Sequence, residues 1–315
     1  MSTTEAPIPT PTAHPPVPQP GMWERLKGFL VNPWGKPRFL PIVTWGYMVW
    51  AILPVLIAIQ FSFNDSRSLT EWAGFSTRWY ISDPNSVWNQ PQLRHALEQS
   101  LKLAFFDVLI SVPIGVALAL GLARWRGRGS GSSNFLMLFP LVTPEIVMGV
   151  SLLLLFTQLF TVIHTSTLAQ VLGHVTFSIS YVVVIVRGRL FSIGKSYEEA
   201  GADLGASWWQ TLRLVLLPLL VPAIVASAAI AFAISIDDFV ISFYLSCGAN
   251  CDTVPIIIYS ATRAAPQPND NAIATIMLVI TLVTVVAGYI VYRYFTRGEH
   301  DGTSNMAGDL AAFDI

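Results

Sequence analysis

Residues 192–220 read SIGKSYEEAGADLGASWWQTLRLVLLPLL, and the order of residues in this stretch governs how the rest of the chain is read. Ser196-Tyr-Glu-Glu199 has the spacing of a capping box, with a Ser at the N-cap and a Glu three residues on. Ser207-Trp-Trp-Gln210 repeats it. Gly205 falls between the two, where a helix C-terminus favours a residue tolerant of positive φ. Pro218 and Pro222 follow in an apolar run and mark the entrance to a further helix. The pattern predicts a short helix, a glycine corner and a second helix that leads into apolar surroundings. The small residues Ala200, Gly201, Ala202 and Ala206 would let another surface approach the corner closely.

The chain as a whole is 53% hydrophobic and 12% charged, with a mean hydropathy of +0.56. Soluble domains carry about 25% charged residues, so this composition leaves too little polar surface to cover a globule. The solvent is a lipid bilayer. A net charge of −1 excludes a nucleic-acid partner, which needs a basic face. The 10 Trp and 9 Tyr suit many membrane–water boundaries. A bilayer core of about 30 Å takes about 20 apolar residues as a helix. Six stretches qualify: Leu40–Phe61, Leu101–Leu122, Phe135–Ile163, Leu168–Val186, Leu214–Ile236 and Ala272–Tyr292. The third is interrupted by Pro140 and Pro144, so part of it is a candidate interfacial piece. The fourth contains Gln170, His174, Thr176 and Ser178, and so faces protein rather than lipid. The expected fold is all-α and polytopic, with six transmembrane helices over residues 35–297. A Pro-rich cytoplasmic tail over 1–34 and a polar tail over 298–315 flank it. No internal repeat is discernible.

With the N-terminus inside, thirteen Lys and Arg fall on inner segments and five on outer ones, out of the chain's 18. The positive-inside rule therefore puts both termini in the cytoplasm, together with the 192–220 corner. The first outer loop, Asn64–Glu98, carries Trp72, Trp79, Tyr80 and Trp88, candidates for the membrane surface or an external partner. The last outer loop, Gly248–Asn271, carries Pro255, Pro266 and Pro268.

Glu199-Ala200-Gly201, three residues, Gly205, nine residues, then Val215-Leu216-Leu217-Pro218 resembles the EAA motif of ABC importer permeases. Gly201 stands where that motif has Ala and Val215 where it has Ile. Gly201 would weaken the first helix by about 1 kcal/mol. The stretches FSFNDS at Phe61, WAGFSTRWY at Trp72, PLVTPEIVMGVSLLLLF at Pro140 and AISIDDFVISFYLSCG at Ala233 resemble the spermidine/putrescine branch of the binding-protein-dependent type. The resemblance covers about residues 40 to 295 and implies the type I (MetI-like) permease fold in a bacterial-type plasma membrane. It implies that the corner is a coupling helix docked on an ATPase, a role carried to Glu199, Ala200, Gly205 and Pro218, with Gly201 and Leu217 completing the motif. The implied partners are an ATP-binding cassette ATPase dimer, a second related permease subunit and an external solute-binding protein. No Walker A sequence occurs in the chain. It is expected to be no enzyme and to hold no cofactor, ATP being bound by the partner. The implied solute is a small cation, a polyamine, or another small solute taken by the same branch.

Four acids sit within or at the rims of spans: Asp107, Glu145, Asp237 and Asp238. An ionised group at the bilayer centre costs at least about 2.5 kcal/mol, so it faces a cavity or a partner. Acids along a path suit a polycation stripped of water. Other roles stand beside this one. Asp107 could pair with Lys102 or accept hydrogen bonds from neighbouring spans. Glu145 could stabilise a helix N-terminus after Pro144, and Asp237 and Asp238 could cap a helix at the outer boundary. If Asp238 lines the path, neutralising it is expected to lower uptake at unchanged assembly. His174 is polar enough for a proton relay, but ATP-driven transport needs none, and a hydrogen-bond partner is the simpler expectation. Cys247 and Cys251 fall on the outer side, where either a disulfide or two free thiols fit. With no further His or Cys near them, no metal site is expected. A secondary transporter commonly carries inverted repeats, and a membrane protease would need more than His174 with Ser178 one helical turn on.

Overall fold

The computed structural model describes residues 39–125, 127–160, 162–264 and 266–311, with Gly21 and Trp23 besides, and the side chains of the last helix as far as Phe295. The tail expected over 1–34 lies outside the described residues apart from those two, and the side chains of the tail over 298–315 lie outside them entirely. Among the described residues the only β feature is an isolated antiparallel bridge between Asn64 and Phe75. Everything else regular is helix.

The first helix, α1 (Phe39–Ser62), is apolar on all sides, and as far as Ile57 it belongs to a unit of its own. The second unit begins at Ala58. It holds α2 (Pro91–Arg124), α3 (Ser130–Val142), α4 (Glu145–Leu154), α5 (Thr167–Ile193), α6 (Ser196–Asp203), α7 (Trp208–Thr211), α8 (Leu217–Asp237), α9 (Val240–Leu245), α10 (Val254–Ala264) and α11 (Pro268–Ala311). Among the described residues five helical stretches are long and apolar enough to cross a membrane unaided: α1, α2, α5, α7 running into α8, and α11. A sixth arises if α3 and α4 together make one span, and these two meet at 105°. The cause of the bend is local. Pro144 has no N–H to donate, and its ring drives Thr143 out of the helical region, to ψ 129°. The third candidate span is thus two helices.

Within the second unit, α5 is the innermost span, two thirds buried, and packs against α2, α8, α3 and α9. Hydrophobic burial between spans is weak in lipid, so helices associate through close backbone approach at small residues. Gly115 of α2 lies under Val182 of α5, where an added Cβ would stand 2.6 Å from Cγ1. Gly173 of α5 faces Ile241 and Leu245 of α9 at 2.7 Å, and Gly149 of α4 faces Tyr244 at 2.8 Å. Around the first contact lies a core of Val112, Val116, Val182, Val183, Val186, Leu212, Leu216 and Leu220.

Two connections are more ordered than expected. In the loop before α2, Trp79 is buried and donates its indole N–H to the Asn64 carbonyl at 2.7 Å. Arg78 lies over the Trp79 ring and pairs with Asp65 and Asp83. Trp79 therefore holds the loop together from within and is not available to an external partner, whereas Trp72 and Trp88 are exposed. The Asn85 amide, donating to Asp83 at 2.9 Å, and the Arg78 guanidinium hold the Asp83 carboxyl below its ordinary 3.8. A depressed carboxyl pKa stabilises the folded loop above that value, and the contribution is lost only in more acidic solution. The last outer loop likewise contains a helix, α10, whose Val254, Ile256 and Ile257 are buried.

A contrast between two glycines of α2 tests the packing. Nothing lies within 4 Å of a Cβ added at Gly121. Gly115→Ala should destabilise the protein by about 1–3 kcal/mol through overpacking. Gly121→Ala should be neutral or stabilise it by up to about 1 kcal/mol. Thermal melts in detergent distinguish them.

Candidate functional site

The stretch 192–220 folds as a helix, a corner and a second helix. Of the two expected capping boxes, one forms. Ser207 is the N-cap of α7, its Oγ accepting from the Gln210 amide while the Ser207 amide donates to Gln210 Oε1 at 2.8 Å. At the other, α6 starts one residue early. Lys195 is its N-cap with no side-chain hydrogen bond, which puts Ser196 inside the first turn. Glu198 instead pairs with Arg124 at the end of α2 and moors α6 to that span. The C-terminus of α6 is a Schellman motif: Ala206 donates to the Gly201 carbonyl and Gly205 to the Ala202 carbonyl, each at 2.9 Å. Gly205 sits at φ +78°, the left-handed region this closure requires.

Gly201 has a second reason to be glycine. A Cβ there would lie 2.9 Å from Thr211 Oγ1, so α6 and α7 touch at this point. Thr211 is the partner that sequence reading missed. Its only signal was its position at the end of the second capping box. Beyond it, Leu212–Leu216 forms a π turn. That wider turn makes room for the ring of Pro218, which would otherwise press on the carbonyl four residues back. Leu212 and Leu216 are buried in the core shared with α2 and α5, so the corner is built into the spans. Glu199 and Ala200 are exposed on the outer surface of the corner, and Leu217 is half-buried at the start of α8. Around them Tyr197, Leu204, Trp208, Trp209 and Leu214 present an exposed apolar surface, Leu204 at 89%.

A second group lies toward the other end of α8. Gln170, His174 and Ser178 line one face of α5, all buried. Gln170 Nε2 donates to the carbonyls of Ser242 and Cys251 at 3.0 Å, and Gln99 Nε2 donates to Gln170 Oε1 at 2.9 Å. His174 Nδ1 bonds Ser235 Oγ at 2.7 Å, and Nε2 bonds Ser242 Oγ at 2.9 Å and faces Asp238 Oδ2 at 3.3 Å. Ser178 donates to Asp107 Oδ2 at 2.7 Å. His174 and Ser178 therefore each serve other helices and form no dyad.

The four acids occupy different settings. Asp107 is fully buried in α2, and no ion pair to Lys102 forms among the described residues. Asp238 accepts from the amides of Ser242 at 2.8 Å and Ile241 at 3.4 Å, capping α9 as it faces His174. Glu145 is exposed in the first turn of α4, just past the bend. Asp237 is exposed at the rim of a mostly apolar cleft of about 670 Å3 between α8, α10 and α11. Cys247 and Cys251 are joined as a disulfide with Cα atoms 5.3 Å apart, which closes the turn between α9 and α10. Among the described residues no cluster of three His, Cys, Asp or Glu could hold a metal.

The Gly201–Thr211 contact can be tested by a double-mutant cycle. Gly201→Ala adds helix propensity but meets Thr211, while Thr211→Ala removes the obstacle. Gly201→Ala should lower the melting temperature in the Thr211 background. In the Thr211→Ala background it should be better tolerated by about 0.5–3 kcal/mol, the coupling expected of touching residues.

Residues 111–300 match the family model described as "Binding-protein-dependent transport system inner membrane component". The chain is 37% identical over 247 residues to the spermidine/putrescine transport system permease protein PotC of Escherichia coli (strain K12), covering 78% of this chain and 91% of that one. It is 36% identical over 246 residues to the putrescine transport system permease protein PotI of the same organism, covering 76% and 86%. In fold it is similar to a chain of a bacterial ABC transporter involved in the import of the acidic polysaccharide alginate. There the TM-score is 0.67 at 16% identity, over 87% of this chain and 99% of that chain. The fold is thus that of ABC importer permeases, and with the corner in place and the family model spanning more than half of its length, the chain belongs to the binding-protein-dependent transport system inner membrane components.

Proposed function

We propose that this chain supplies one half of the transmembrane pathway of an ATP-driven importer whose solute is a polyamine such as spermidine or putrescine. The observation that carries the reading is the corner: a Schellman-closed glycine turn with an exposed apolar surface, wired to the spans through Leu212 and Leu216. The polyamine assignment draws on the relatives at 36–37% identity, whose names carry those solutes. The Lys and Arg distribution supports a cytoplasmic corner and cytoplasmic termini in a bacterial-type plasma membrane. On that placement the Cys247–Cys251 disulfide lies in the oxidising exterior.

An ATP-binding cassette dimer docks on Glu199, Ala200 and the apolar surface around Leu204. Its closure moves α6 and α7, and the move passes through the π turn into α8. A second, related permease completes the pathway, and an external solute-binding protein delivers the solute. The chain itself binds no cofactor. Glu145 and Asp237 serve as countercharges for a desolvated amine, being the two exposed members of the four acids at the spans. Asp107 and Asp238 act by holding the helices beside them.

Three measurements test this. The complex reconstituted with its ATPase and binding protein should take up spermidine or putrescine only with ATP on the ATPase side. A chain that isolates without any ATPase, and whose uptake follows a proton gradient instead, overturns the reading. Leu204→Asp should abolish co-purification of the ATPase while leaving membrane insertion intact. Asp237→Asn should lower uptake about fivefold, the scale of one partly exposed ion pair, at an unchanged amount of assembled complex. Asp237 is the cleaner choice over Asp238, whose neutralisation also weakens the cap of α9.

A further inference from the structure

A cleft of about 280 Å3 lies where the start of α2, α10 and the start of α11 meet, at the end of the unit away from the corner. Its polar lining comprises Gln90, Gln92, Asp252, Ser260, Gln267, Asn269 and Asp270, and no Lys or Arg lines it among the described residues. Arg263, the basic residue of α10, is turned onto the ring of Tyr259 at 4.8 Å. Asp252 spends one carboxylate oxygen on Ser246 Oγ at 2.9 Å. Asp270 spends one on the Gln267 amide at 2.8 Å.

Asn269 is the informative residue. It is 3% exposed. Its Nδ2 donates to the Asn85 carbonyl at 2.9 Å and to Gln90 Oε1 at 3.0 Å. The main-chain acceptor fixes which end of the amide is nitrogen. Asn269 Oδ1 is then buried with no hydrogen-bond partner. A buried acceptor left unmade is costly, and this one belongs to a residue lining an oxygen-rich cleft with two carboxylates. What satisfies such a set is a compact donor carrying positive charge. A primary ammonium has three N–H donors, and no basic group lines the cleft to repel it among the described residues. Among the described residues no group of three His, Cys, Asp or Glu stands here to hold a metal ion, and competition with Ca2+ separates the two kinds of ligand.

We infer that this cleft is a binding subsite for the primary ammonium end of an organic amine, separate from Glu145 and Asp237. The inference rests on the polyamine reading above for its role: the site receives an amine at the outer mouth of the pathway before the amine reaches the spans.

The test uses the assembled transporter in nanodiscs, without the binding protein, and radiolabelled putrescine as the probe. The wild type should bind putrescine saturably. Asp252→Asn and Asp270→Asn keep the side-chain shapes and one acceptor oxygen each, and each should weaken binding by about tenfold or more. Gln92→Lys places a cation in an exposed lining position without touching the core and should weaken binding likewise. Gel filtration reads the integrity of each complex. Putrescine binding that is the same in all three variants as in the wild type overturns the site, as does full displacement by millimolar Ca2+ with no displacement by other primary amines. ATP-driven polyamine uptake that persists with variant-insensitive binding removes the subsite and leaves the function standing. Variant-sensitive putrescine binding without any polyamine uptake does the reverse.

Discussion

In a bilayer every polar group withdrawn from water needs a partner inside the protein, and this chain concentrates that requirement on one face of α5. Gln170, His174 and Ser178 hold, in turn, one carbonyl of α9 and one of the disulfide turn after it, the junction of α8 with α9, and the carboxyl of Asp107 on α2. The contacts draw together helices that apolar packing alone would leave free to slide in lipid. Apolar closeness then follows: Gly115 lets α2 seat against Val182, and Gly173 lets α9 seat against the same helix.

From that anchored core the corner takes its stiffness. The α6–α7 contact at Gly201, the Schellman closure at Gly205 and the mooring of Glu198 to Arg124 leave the element few ways to yield on its own. Leu212 and Leu216 tie it into the α2–α5 interface, so on the proposed docking a push on its exposed face would enter the spans there. At its far end α8 stops at Asp238, the residue His174 faces. One helix thus joins the proposed docking surface to the polar core around His174.

Much of this was legible in the sequence, because span length, the Gly205 corner and the Ser207 box are local patterns. The bend at Pro144 was signalled by proline chemistry. What the sequence hid was non-local. Ser196 looked like an N-cap until the pairing of Glu198 with Arg124, 74 residues away, entered the account. Trp79 looked like a surface aromatic because nothing local announced its bond to the Asn64 carbonyl. The α10 helix hid in a proline-bearing loop, since its apolar run is too short to stand out. Ser235 and Ser242 are unremarkable serines until α8 and α9 fold back onto His174. Asn269 became informative only through what its oxygen lacks.

The partners of α5 also set an order on how the protein is made. Gln99 and Asp107 lie upstream, so Gln170 Oε1 and Ser178 can be met as soon as α5 enters the membrane, whereas Gln170 Nε2 waits for Ser242 and Cys251. All the partners of His174 lie downstream, the first of them Ser235, 61 residues later. At about 5–20 residues per second, the imidazole waits on the order of 3–12 seconds for the fifth span to be synthesised. During that interval the half-built chain carries unsatisfied polar groups in lipid, and only the return of α8 and α9 onto α5 satisfies them.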